Sequence, residues 1–145
     1  MSLAEKIEPG LHIVGVQSHQ MRAMWPHVEK YFKSFEERSR GALLAYDLLA
    51  QCCNAERQCW VATDGERVQA CALTEVQPGP KKVVILSFCS GEHMEDWWRE
   101  MVGTIVDWAK SIGSKRVTAI HRPGWKKFLE REGFKMSHMN SDIDL

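Results

Sequence analysis

Lys82-Val83-Val84-Ile85-Leu86-Ser87-Phe88-Cys89, followed by Ser90-Gly91-Glu92-His93-Met94-Glu95-Asp96, is the stretch whose reading decides the fold. Its first part is continuous in apolar residues rather than alternating, as expected of a central strand covered on both faces. The pattern then changes to a helix over about residues 95–112. Trp98, Met101, Val102, Ile105, Ala109 and Ile112 form one broad apolar stripe there, with Gly113 as C-cap.

Upstream, Gln77-Pro78-Gly79-Pro80 forces a turn, so the strand before it, Arg67–Val76, should pair with the central one in antiparallel fashion. Asp64-Gly65 is a hairpin signal linking that strand to Cys59–Thr63. Further back, helix spacing over about residues 24–38 carries Trp25, Val28, Tyr31, Phe32 and Phe35. Pro26 suits the first turn of that helix. Gly41 separates it from a second helix over about 42–55, and Leu11–Val16 reads as an opening strand. Downstream come a strand over Arg116–His121, a short helix over Trp125–Glu132 ended by Gly133, and a last strand from Phe134. The order β-α-α-β-β-β-α-β-α-β predicts an α/β (α+β) chain with a mixed, mostly antiparallel sheet and helices on both faces. No repeat or linker divides residues 1–145, so one domain is expected.

Composition narrows the function classes. Nineteen basic and nineteen acidic residues cancel, which removes the electrostatic case for nucleic acid or an anionic membrane. No apolar run approaches the roughly 20 residues of a membrane span, and the N-terminus lacks a signal pattern, so a cytoplasmic location is the default expectation. The five cysteines form no C-x-x-C pair. Reduced, buried thiols are expected, and no metal site.

The element order, with Gly124-Trp125-Lys126-Lys127-Phe128-Leu129-Glu130-Arg131-Glu132-Gly133-Phe134, resembles the GNAT superfamily of N-acetyltransferases. Many members end on Asn-x-x-Ala-x-x-(Phe/Leu)-Tyr-x-x-x-Gly-Phe, and Phe128, Gly133 and Phe134 match. The resemblance implies a GNAT-like mixed sheet, acetyl-CoA as acyl donor and a small amine as acceptor. It departs from the pattern at three positions. The family's tyrosine, often the general acid for the leaving thiolate, falls on Leu129, which has no proton to give. The asparagine falls on Arg122 and the alanine on Trp125. The pyrophosphate loop, usually Arg/Gln-x-x-Gly-x-Gly/Ala, is replaced by residues 89–96, which keep one glycine and add Glu92, Glu95 and Asp96. Carboxylates suit a helix N-terminus and oppose a diphosphate there. Weak or absent acetyl-CoA binding follows.

Cys89-Ser90-Gly91-Glu92-His93-Met94-Glu95-Asp96-Trp97 and Arg122-Pro123-Gly124-Trp125 are also similar to segments of short GNAT-like proteins of tailed bacteriophages. That resemblance implies a possible partner among phage structural proteins, in the host cytoplasm or the virion.

The candidate site residues follow from the expected cleft beside the central strand. Glu75 and His121 are the candidate bases. Phe88, Cys89, Ser90, Gly91 and Trp125 are the candidate cofactor-binding residues. Each has a plainer reading: Glu75 as a solvent-facing strand residue, His121 as a polar surface residue, Cys89 as a buried apolar thiol, and Ser90-Gly91 as a helix-start turn. Two function classes stand: an acyl-CoA-dependent N-acetyltransferase with a degenerate cofactor site, and a catalytically inactive fold used for protein contact, as a virion or assembly component. Fold does not choose between them.

Overall fold

A computed structural model describes residues 10–121 and 123–135. Among the described residues, five strands form one sheet in the order of the chain: β1 (His12–Val16), β2 (Gln58–Thr63), β3 (Val68–Gln77), β4 (Val83–Gly91) and β5 (Arg116–Ala119). The first three pairings are antiparallel and β4 with β5 is parallel. Strand β4 lies between β3 and β5, as its apolar run leads one to expect.

Alternation along each strand feeds two cores. On β2, Cys59 and Val61 face one side and Trp60 and Ala62 the other. The first side is covered by α1 (Met21–Arg38) and α2 (Ala45–Cys53), which bury Val28, Phe32, Phe35 and Leu48. The second is covered by α3 (Met94–Ser111) and α4 (Lys126–Arg131), which bury Trp97, Trp98, Met101, Ile105 and Leu129. Helices therefore lie on both faces, and the fold is the mixed, mostly antiparallel one expected.

Several local expectations need correction. Helix α1 starts at Met21, after a 3-10 turn at Ser18–Gln20, so Pro26 lies inside the helix rather than in its first turn. Helix α2 is shorter than 42–55 because the residues before it are spent on a turn. Gly41 takes φ +79° and the Leu43 N–H donates to Ser39 Oγ at 3.0 Å. The Glu36 carboxylate then accepts the Ala45 N–H at 2.8 Å and caps the helix. Ser90 and Gly91 are not a helix-start turn. They continue β4, opposite Cys71 and Ala70, and α3 begins only after His93 in a left-handed conformation. Gly91 is demanded by close approach: a Cβ there would lie 2.4 Å from that of Ala70 and 2.7 Å from the Gln69 carbonyl oxygen. Strand β5 ends at Ala119, two residues early. Phe134 and Lys135 are in no regular element, and the rest of the expected last strand lies outside the described residues, as does Arg122.

Candidate active site

The sheet opens at one point. Leu73 pairs with Phe88 while Thr74 pairs with Leu86, which leaves Ser87 as an extra residue in β4. This bulge turns the strand's alternation over, so that Leu86 and Cys89, three residues apart, both join the α3-side core. At the same level β4 and β5 part company. Leu86 pairs with Ala119, and the Ile120 N–H still donates to the Leu86 carbonyl at 3.0 Å; past that point no β5 residue pairs with β4.

The parting makes a cleft of about 230 Å³ lined by Leu86, Ser87, Phe88 and Cys89 on one side and by Ala119, Ile120 and His121 on the other. Trp125 closes one end, held edge-on against Trp98 at 4.8 Å between ring centroids, and Arg38 reaches in from α1. A larger open groove of about 720 Å³ follows β5 and the ends of α3 and α4, and His121 borders both.

Backbone geometry gives the cleft polar groups. The Glu92 N–H donates to the Gln69 carbonyl, so that pair is a hydrogen-bonded one. Antiparallel pairs alternate, hence the Cys89–Ala72 pair is non-hydrogen-bonded and the Cys89 N–H and C=O point away from β3, toward the parted edge. The Cys89 carbonyl accepts a hydrogen bond there from Arg38 Nη1 at 2.8 Å.

A polar group stands behind the cleft wall on the α1 and α2 side. The Ser87 hydroxyl donates to Glu75 Oε1 at 3.4 Å, and Arg57 Nη2 lies 3.7 Å from Glu75 Oε2. Arg57 also donates from Nε to Gln51 Oε1 at 2.6 Å and lies 5.9 Å from the centre of the Phe88 ring. Its Nη1 is buried with no hydrogen-bond partner among the described residues. An unsatisfied buried donor of this kind costs about 1–3 kcal/mol.

The expected site residues separate accordingly. Phe88, Cys89, His121 and Trp125 line the cleft, and Glu75 reaches it through Ser87. Ser90 and Gly91 lie past it in the β3–β4 ladder. Burial holds the Cys89 thiol far above the usual thiol range, against a smaller opposing effect of Arg38, so this sulfur stays protonated. Leu129 is buried in the α3-side core among apolar neighbours.

Sequence reading missed Arg38, Arg57 and Ser87. Ser87 carried a signal, as the one polar residue inside an apolar run, at the point where the alternation turns over. The two arginines carried none, because their places depend on how α1 and the turn before β2 pack.

No family model matches the chain, and no curated protein matches its sequence. Solved structures do match in shape. An acetyltransferase of Trypanosoma brucei is 12% identical, covering 93% of this chain and 99% of that one at a TM-score of 0.68. A ribosomal-protein-alanine N-acetyltransferase from Brucella melitensis biovar Abortus 2308 is 10% identical over 94% and 100%, with a TM-score of 0.66. An aminoglycoside N-acetyltransferase in complex with CoA is 9% identical over 97% of each chain, with a TM-score of 0.67. At these identities the likeness is one of fold, and the fold of this chain is that of the GNAT acetyltransferases.

Proposed function

We propose that the chain is an acyl-CoA-dependent N-acetyltransferase with a weakened cofactor site, acting on a small amine in the cleft between β4 and β5. The observation that carries this reading is the parting of those strands at the Ser87 bulge, which turns the Cys89 N–H toward a cleft that Glu75 reaches through one hydroxyl. In the reaction, the acceptor nitrogen bonds to the thioester carbonyl carbon and the C–S bond breaks. The Cys89 N–H polarises the carbonyl oxygen, and the low-dielectric walls strengthen that contact. Glu75 takes the amine proton through the Ser87 hydroxyl or a water. The departing thiolate takes its proton from water, since Leu129 stands where the family's tyrosine would.

The cofactor site is weakened at the start of α3. Glu95 and Asp96 occupy its first turn, Glu92 precedes them, and all three are exposed. Each like charge near a diphosphate costs on the order of 1 kcal/mol at surface-like dielectric. The match to a fold solved with CoA in another protein supports the donor class.

A second reading, an inactive fold serving as a virion or assembly component, is favoured by one observation: Leu129, a side chain with no proton to give, is packed into the core. The test is CoA release from acetyl-CoA over a panel of small amines, for wild type and Glu75→Gln. Release by wild type that falls in the variant supports the enzyme; no release by folded wild type with any amine supports the second reading.

A further inference from the structure

We infer that Arg38 is a specificity-determining latch on the edge of β4 that β5 leaves, competing with any extended, amide-bearing chain that enters the cleft. The inference rests on the reading of this cleft as the ligand site, but not on any catalytic step.

A strand edge that has lost its neighbour presents N–H and C=O groups in register for another extended chain, and ligands with spaced amides bind such edges by adding a strand. Past Leu86 the edge of β4 has lost β5, and alternation places the Cys89 N–H and C=O on it. The carbonyl already carries a donor, so a ligand must displace it or share the oxygen. Arg38 Nη1 holds it at 2.8 Å, in a charge-assisted bond that is stronger than a neutral amide would make.

Two further observations place the arginine there by construction. The Arg38 guanidinium carbon lies 5.9 Å from the centre of the Phe35 ring, and Phe35 stacks on Phe88 at 5.0 Å, so helix α1 and β4 jointly fix its approach. Arg38 also lines the cleft, whose volume of about 230 Å³ is below the roughly 300–1000 Å³ of ordinary small-molecule sites. Withdrawal of this side chain both frees the carbonyl and enlarges the cleft. A ligand that cannot displace it is excluded; one with an amide donor at the Cys89 level exchanges one hydrogen bond for another.

D-Pantetheine is the suitable probe, because it carries two amides in an extended arm and lacks the diphosphate that the acidic start of α3 opposes. Calorimetry on wild type and Arg38→Met, which keeps the apolar stem and removes the donors, reads the effect. Binding should tighten in the variant by about tenfold to a hundredfold, the worth of one hydrogen bond from a charged donor. Equal or weaker binding by folded Arg38→Met, or no binding by either protein, overturns the latch. If Arg38→Met does not fold, the wild type decides: saturating pantetheine should shift the Arg38 guanidinium nitrogen resonances, and unmoved resonances with pantetheine bound contradict the proposal. CoA release is scored separately, so tightened pantetheine binding without turnover would sink the enzyme reading and leave the latch standing.

Discussion

The Ser87 hydroxyl lies 3.4 Å from Glu75 Oε1, joining the residue that breaks the β4 ladder to the carboxylate behind the cleft. Glu75→Gln should keep the fold, since its side chain is over a third exposed. It should lower the turnover number by about 10²–10⁴, the usual loss on removing a positioned base. Steady-state kcat with the best amine, beside a thermal melt showing an unchanged fold, is the check. An unchanged kcat removes Glu75 from the mechanism.

Leu129→Tyr should not speed acetyl transfer. The leucine is packed into the α3-side core, so the added ring and hydroxyl overfill it and cost about 1–3 kcal/mol. Urea denaturation should show a lower midpoint and CoA release should not rise. A faster, equally stable variant would show that this position reaches the cleft.

Gly91→Ala should destabilise the β3–β4 pair. Its Cβ would come within 2.7 Å of the Gln69 carbonyl and 2.8 Å of Ala70 Cα, backbone atoms that yield only by moving the strand. A loss of about 1–3 kcal/mol is expected by equilibrium denaturation. A loss much smaller than this would mean that β4 ends before Gly91.

Alkaline pH should weaken the fold through Tyr31. Its hydroxyl donates to the Val68 carbonyl at 3.0 Å, and burial first, then the charge of Glu92, push its pKa up to about 12. Below about pH 10 both folded and unfolded chains keep the proton; between there and about 12 only the unfolded chain loses it. Stability is therefore fully present below pH 10 and falls as pH rises toward 12. Cys52, pushed up to about 12 chiefly by burial, adds a loss of the same sign that starts nearer pH 9. Denaturation midpoints across this range should fall less steeply for Tyr31→Phe than for wild type, and identical slopes would show that the phenol is not buried as described.

The sheet was legible because its signals are local. The apolar run of β4, the Pro-Gly-Pro turn and the Asp64-Gly65 turn each constrain pairing within a few residues. In the hairpin, Asp64 Oδ1 accepts the Glu66 and Arg67 N–H groups, as that sequence suggests. The cleft was legible only in part. Phe88 and Cys89 could be placed because they end a strand, and Trp125 because it falls on the alanine of the motif that the last helix resembles. The end of β4 was misread because Ser and Gly commonly start helices, while here Gly91 serves a contact with Ala70 across strands. Arg38 and Arg57 were invisible for a related reason: their partners, the Cys89 carbonyl and Glu75, are 51 and 18 residues away in sequence. Nothing in a chain's periodicity records a pairing made by tertiary packing.

Whether the parted β4–β5 edge is a weakened acyl-CoA site is decided by titrating acetyl-CoA into 15N-labelled protein and following the backbone amides. Binding should be weak and saturable. Its shifts should be largest at Ser87, Phe88, Cys89, Ile120 and His121, with the Trp125 indole moving too. Shifts confined to surfaces away from that cleft, or none at any concentration, would contradict it.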